Sequence, residues 1–288
     1  MADYRIFTDS PADLPADLYK KHDIGVIHLS FTMDGKDYKT PDEIGGIEEF
    51  YNRLRKGSMS KTSQVTEEEV RRWFVPTLEE GRDILMLAFS SGLSASYDST
   101  RRVAKILEEE YPERTICVVD TLCASLGQGL FVLKACEQKA KGVSLAGVRD
   151  WAEANKLNVG HVVMADDLFH LKRGGRISAA AAVAGSILGV KPIIHMNNEG
   201  KLIPIGKVRG KQQALLHLVD LMDKQKGDWD NPFIAVCHAD DLESAQLVAK
   251  EVRRRYGIKN AVINHIGPVI GSHTGPGTIA LFFMGDYR

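Results

Sequence analysis

Short apolar runs and amphipathic helical stretches alternate along the first half of the chain. Runs rich in β-branched and aliphatic residues, bounded by turn formers, cover residues 5–8, 25–32, 84–89, 115–120 and 160–164. Between them lie stretches with helical spacing of apolar positions, at 15–21, 47–56, 67–73, 94–110, 125–141 and 144–155. Strands that are apolar throughout, rather than alternating, are buried on both faces. The order therefore predicts a parallel sheet covered by helices on each side. Asp34-Gly35, between Phe31 and Tyr38, predicts a hairpin, and Thr66 with Glu69 reads as a capping box that opens the helix carrying Trp73.

The pattern changes after about residue 166. Two apolar runs, 190–196 and 201–207, flank Asn197-Asn198-Glu199-Gly200, a second hairpin signal. Two helix–strand units follow, 211–226 with 233–238 and 242–256 with 261–266. Antiparallel pairing mixed with helices predicts a smaller α+β domain with a mixed sheet. The expected organisation is an α/β protein of two domains, an α/β/α parallel-sheet unit over residues 1–165 and an α+β unit over 166–288. No Pro- or Ser-rich linker marks the boundary.

Composition narrows the class without naming a function. The chain has 288 residues, 44% hydrophobic and 26% charged, and 37 basic residues stand against 38 acidic ones for a net charge of −1. That balance gives no electrostatic footprint for nucleic acid or an anionic membrane. Local basic runs such as Arg253-Arg254-Arg255 lie on helical stretches amid glutamates, the pattern of a solvated face. The N-terminus has no apolar leader segment and no window is long enough to span a bilayer, so the expected location is the cytoplasm, with no stable membrane insertion. Cys117, Cys123, Cys136 and Cys237 form no CxxC pair or zinc-type spacing and read as reduced core residues. The chain also lacks GxxxxGK[ST], GxGxxG after a strand, HExxH and an EF-hand loop, so nucleotide, dinucleotide and metal chemistry have no anchor in it.

The candidate chemistry sits in polar, glycine-bearing segments at the ends of predicted strands, where open α/β sheets bind ligands. Thr8-Asp9-Ser10 follows the first strand and serves either a ligand or the cap of the next helix. Lys61-Thr62-Ser63-Gln64 offers hydroxyls and an amide ahead of the capping box. In Ser90-Ser91-Gly92-Leu93-Ser94 a buried strand turns into a helix at Ser94, and the free N–H groups and partial positive charge of a helix start make a cradle for carboxylate or phosphate. In Gly174-Gly175-Arg176 the glycines let the backbone fold tightly while the guanidinium projects, suited to an acid group or to bracing a contact between domains. The small-residue run 179–185 reads as a closely packed helix. Finally Gly267-Pro268-Val269-Ile270-Gly271-Ser272-His273-Thr274-Gly275-Pro276-Gly277 reads as a rigid, shaped loop with His273 at its apex, holding a polar group or standing solvated in a tight turn.

Taken together and in this order, these motifs, with Lys191-Pro192, resemble those of the DegV family, which includes the fatty-acid-binding subunits of bacterial two-component fatty acid kinases. The resemblance covers essentially the whole chain. It implies two domains that enclose one long-chain acyl group, such as palmitate, stearate or oleate, in a tunnel between them. It also implies a separate ATP-binding kinase subunit that phosphorylates the carboxylate, so that the chain is not an enzyme alone and needs no cofactor or metal. By motif, Thr62 and Ser94 match the carboxylate-binding hydroxyls and His273 the histidine of the polar network. Arg176 matches an arginine of the headgroup and partner face, with Ser63, Ser91, Gly92 and Thr274 in supporting positions. Two departures bear on loop rigidity: Val65 stands where the family usually has proline, and Ala95-Ser96 replaces the usual glycine-threonine.

Two other readings use the same residues. Gly92-Leu93-Ser94-Ala95-Ser96 approaches the nucleophile elbow of serine hydrolases, with Asp120 and His273 following in Ser-Asp-His order, although Ser96 replaces the second elbow glycine. DegV proteins also resemble the substrate domain of dihydroxyacetone kinases, where a histidine holds the ketone, which makes the substrate-holding half of a ketone kinase the remaining alternative.

Overall fold

The computed structural model describes residues 3–178 and 189–288. The expected small-residue helix at 179–185 lies outside them. In the first half, four strands form an all-parallel sheet in the order β2-β1-β6-β7, from β1 (Tyr4–Asp9), β2 (Gly25–Ile27), β6 (Asp83–Ala88) and β7 (Ile116–Asp120). Alternation along the strands decides what each face packs against. Phe7, Ile84 and Met86 pack with Val70, Phe74, Val103 and Leu107 of α3 (Glu67–Glu79) and α4 (Ser96–Glu110). Ile6, Leu85 and Leu87 turn to the opposite face, where Phe131 and Val148 of α5 (Ser125–Ala140) and α6 (Leu145–Asn155) cover them.

In the second half, six strands form a mixed sheet in the order β10-β9-β8-β13-β11-β12, built from β8 (Val159–Met164), β9 (Val190–Met196), β10 (Leu202–Arg209), β11 (Phe233–His238), β12 (Asn260–His265) and β13 (Ile279–Met284). Only the β11–β12 pair is parallel. One face, with Val162, Ile193, Val236, Leu281 and Phe283, is covered by α8 (Lys211–Gln225) and α9 (Leu242–Tyr256). The other carries His161, Val163, Cys237, Ala280 and Phe282 toward the first half of the chain, and that face becomes the wall of a cavity.

Both hairpins form as expected. Asp34 and Gly35 have φ of 53° and 78° and join β3 (Phe31–Met33) to β4 (Lys36–Tyr38), and Gly200, at φ 71°, closes the turn between β9 and β10. Several details differ from the sequence reading. Residues 25–32 are not one strand. After β2 the chain leaves the parallel sheet, and β3 pairs with β5 (Ser60–Thr62) in a separate three-stranded antiparallel sheet. Val159–Met164, read from sequence among the strands of the first unit, lies at the centre of the six-stranded sheet. The capping box is half formed. Thr66 Oγ1 accepts from the Glu69 N–H at 3.2 Å, but the Glu69 carboxylate is taken by Lys39 Nζ at 2.5 Å and Trp73 Nε1 at 3.3 Å.

Asp9 stands at the N-cap position of a short 3-10 turn, Ser10–Ala12, but its side chain makes no capping hydrogen bond and is spent in the interior instead. Asp9 is buried, and its carboxylate accepts from Gln128 Nε2 at 2.7 Å and from the Phe89 N–H at 3.0 Å. Gln128 also donates to Thr8 Oγ1 at 2.8 Å, and Ser10 Oγ accepts from the Leu29 N–H at 3.1 Å. Burial pushes the Asp9 carboxyl up to about 6 against the pull of Gln128 and Phe89. The group thus ties β1, α5 and the loop after β6 together. Gln128→Leu strands those acceptors in the interior, with an expected loss of about 1 to 3 kcal/mol. Urea denaturation checks this, and an unchanged midpoint would contradict it.

Candidate functional site

A cavity of about 270 Å³ lies between the two large sheets, at the lower edge of the roughly 300 to 1,000 Å³ usual for small-molecule sites. Its wall draws on both halves of the chain. Its polarity runs in one direction. At the outer end stand Thr62, Ser63, Gln64, Ser94, Arg176 and His273, half-buried or exposed; at the inner end stand Ala124, Ser125, His161, Cys237, Ala280 and Phe282, all buried.

The outer end is assembled from four segments, around Thr62, Ser94, Arg176 and His273. Thr62 closes β5, and its Oγ1 is hydrogen-bonded at 2.8 Å to His273 Nε2. The segment around His273 is a helix, α10 (Pro268–Thr274), rather than the expected loop. Pro268 is placed where its missing N–H costs nothing, and Gly275 at φ 75° ends the helix. Gly271 is needed because a Cβ there would lie 2.6 Å from the Tyr51 hydroxyl oxygen. Ser272 Oγ donates to Pro268 O within α10 at 2.6 Å and lies 2.6 Å from Ser60 Oγ, a contact that ties α10 to β5.

Ser94 lies just before α4, whose N-cap is Ala95 rather than Ser94. Its Oγ accepts from the Ser96 N–H at 3.2 Å and is 2.9 Å from Ser96 Oγ. Ser96 Oγ accepts in turn from the Val65 N–H at 3.2 Å. The two departures from the family pattern therefore meet: a proline at 65 would have no N–H to give, and Ser96 is the residue that receives it. This bond fixes the Thr62 loop against the Ser94 loop. The Ser94 loop is held from below as well, by Asp9 on Phe89 N–H, by Asp120 Oδ1 on Ser91 N–H at 3.1 Å, and by Ser90 Oγ donating to Gly200 O at 2.8 Å.

Arg176 spans the opening, donating Nε to Leu93 O at 3.1 Å and Nη1 to Gly174 O at 2.5 Å. It makes no ion pair among the described residues, and burial, which disfavours the charged form, moves the guanidinium below its ordinary pKa. Burial also pushes His273 down to about 4, helped by the fields of Arg176 and Arg173, so the imidazole is neutral near pH 7. Its Nδ1 is buried without a partner among the described residues, and a Cβ on Gly174 would lie 2.1 Å from it. An unpaired guanidinium beside hydroxyls and a neutral imidazole favours an anionic oxygen ligand.

Of the expected site residues, Thr62, Ser63, Ser94, Arg176, His273 and Thr274 line the cavity. Thr274 spends its hydroxyl on Ile270 O at 3.3 Å. Ser91 is exposed, and Gly92 borders a second cleft that shares Leu93, Arg176 and Leu202 with the cavity. A hydrolase triad is not assembled. Ser94 and His273 have the separate partners above, and Asp120 Oδ1 accepts from the Ser91 and Leu122 N–H groups. Among the described residues no cluster of three or more metal-ligating side chains occurs, no helix is long and apolar enough to cross a membrane, and all four cysteines are free.

The inner end was missed by sequence reasoning, and its polar side chains are engaged by protein partners. The Ser125 hydroxyl donates to Asp13 Oδ2 at 2.5 Å. His161 is bonded through Nδ1 to Val159 O at 2.9 Å and through Nε2 to the Ala124 N–H at 3.2 Å. Burial raises the Cys237 thiol well above its ordinary range, so it stays protonated. The only signal in sequence was a lone histidine within an apolar strand.

Asp13 also accepts from the Gly267 N–H at 3.0 Å, and burial pushes its carboxyl up from 3.8 to about 7 despite these two bonds. Its contribution to stability is full below pH 3.8 and is lost as pH rises to about 7, because the folded chain holds a proton there that the unfolded chain has released. The stability of Asp13→Asn relative to the parent should therefore rise between pH 4 and 7 in chemical denaturation. A difference independent of pH would contradict this assignment.

The DegV family profile, described as an uncharacterised protein family, matches residues 3–286. A DegV domain-containing protein of Clostridium perfringens is 41% identical over 289 aligned positions, covering 100% of this chain and 99% of the relative. Among solved structures, a fatty-acid-binding DegV family protein of Thermus thermophilus superposes with a TM-score of 0.84 at 31% identity, covering 99% of this chain and 100% of its own. A stearic-acid-binding protein of Eubacterium ventriosum superposes with a TM-score of 0.88 at 27% identity, covering 99% of each chain.

Proposed function

This chain belongs to the DegV family, and from that premise we propose that it encloses one long-chain fatty acid between its two halves, taken as two domains. The carboxylate lies at Thr62, Ser94, His273 and Arg176, and the tail runs inward. The observation that carries this reading is the one-sided polarity of the cavity. Hydroxyls and an unpaired guanidinium stand at the outer end, while at the inner end each polar group is already satisfied elsewhere.

Affinity on this reading comes from the tail. Burying roughly fourteen methylenes at about 0.8 kcal/mol each gives on the order of 11 kcal/mol gross, whereas one charged hydrogen bond nets about 1.5 to 3 kcal/mol. The headgroup contacts set orientation. The protein is further proposed to work in the cytoplasm as a carrier that presents its carboxylate at the Arg176 opening to a separate ATP-binding kinase for acyl-phosphate formation. The exposed residues at that opening, Ser63 and Gln64, leave it reachable from outside.

Mass spectrometry of an organic extract from the denatured protein is expected to yield a long-chain fatty acid in near-stoichiometric amount. A clean extract with no uptake of added palmitate or oleate would overturn the reading. Ser94→Ala should keep bound lipid but position the headgroup less well. Arg176→Met should weaken fatty acid binding about tenfold, the equivalent of one charged hydrogen bond. Binding of the matching fatty alcohol should barely change, and equal losses for acid and alcohol would remove Arg176 from the headgroup site.

A further inference from the structure

We propose that His161 is the fixed end stop of the cavity and sets the longest acyl chain the protein accepts, an inference that rests on the fatty-acid reading above. The direction of the cavity follows from exposure. Ser63 and Gln64 at one end face solvent, whereas His161 is 2% exposed and Cys237 0%. Alternation on β8 turns Val162 into the core beneath α8 and α9 and leaves His161 and Val163 on the cavity face.

An imidazole in such surroundings is costly unless both nitrogens are satisfied, and here both are. The carbonyl of Val159 can only accept, so the proton sits on Nδ1, and Nε2 accepts from the Ala124 N–H. That single neutral tautomer is held in one orientation, and burial, pushing the ring down to about 3, keeps it neutral. The ring meets Phe282, its cross-strand neighbour, edge to face at 5.1 Å and 86°.

Neither ring can retreat. A Cβ on Gly127, on the adjoining turn of α5, would lie 2.3 Å from His161 Nε2 and 2.7 Å from the Phe282 ring. The backbone of α5 is therefore pressed against both rings. A wall of leucine or methionine would yield to one more methylene, whereas a pinned ring in close-packed surroundings does not. Ala124 and Ser125 beside it are small, so the His161 ring, backed by Phe282 opposite, is the bulk that closes the end.

The test offers the purified protein a ladder of saturated fatty acids differing by two carbons and reads the bound species by native mass spectrometry. His161→Ala should shift the longest retained chain upward by about two carbons, because truncation of a close-packed ring leaves space that a longer tail fills. His161→Ser, which keeps an acceptor for the Ala124 N–H, should shift it the same way and serves if the alanine variant does not fold. Ala280→Leu adds bulk beside Val163, one cavity-facing pair along the strands from His161, without removing a hydrogen bond and should shift the profile to shorter chains. A parent protein that binds the ladder, with folded His161 variants of unchanged length profile, would overturn the end stop alone. A parent protein that takes up no member of the ladder would overturn the fatty-acid reading and this inference with it.

Discussion

The buried carboxyl of Asp13 joins segments that have no other reason to share a site. It stands in the left-handed region at φ 52°, accepts from Ser125 at the start of α5 and from the Gly267 N–H at the start of α10, while its own carbonyl accepts from Asn264 Nδ2 at 2.8 Å. Ser125 belongs to the inner wall of the cavity and α10 carries His273 to the outer end, so one group sets the spacing of both ends. Tyr51 adds a second tie to the same corner, donating to Ile266 O at 2.7 Å. An acid held this deep is retained only because its oxygens are met by donors, and those donors are the places where the cavity wall begins.

The same logic explains why a cavity bordered by serine, histidine and cysteine is still apolar in effect. What a ligand tail meets is the free valence of each group, and at the inner end none is left. Ser125 is spent on Asp13, both nitrogens of His161 on backbone, and the Cys237 thiol is kept protonated by burial. At the outer end the account reverses. Among the described residues Arg176 uses its donors on two carbonyls yet has no countercharge, and His273 keeps a buried nitrogen without a partner. On the proposed reading, electrostatics orients a ligand that burial of its tail would hold.

Much of the architecture was legible in the sequence because it is local. Asp34-Gly35 and Asn197 to Gly200 specify their hairpins through turn chemistry alone, and the apolar runs at 84–89 and 115–120 announce strands covered on both sides. The polar segments at strand ends, with Thr62, Ser94, Arg176 and His273, were visible for the same reason. The floor was not. His161 and Cys237 look like core residues within apolar strands, and their place in the wall depends on registers such as His161 opposite Phe282 and Cys237 opposite Ala280. Asp9 read either as a ligand group or as a cap, since nothing near it in sequence points to Gln128. The glycines of 267–277 suggested a loop, although Gly271 serves close contact with Tyr51 within a helix.

The most direct test of the account is a crystal structure of the protein bound to a fatty acid carrying bromine on its terminal carbon, with the anomalous signal locating the tail. The account places the bromine beside His161 and Cys237, and the carboxylate within hydrogen-bonding reach of Thr62, His273 and Arg176. A bromine peak at the Arg176 opening, or an acid bound outside this cavity, would contradict it.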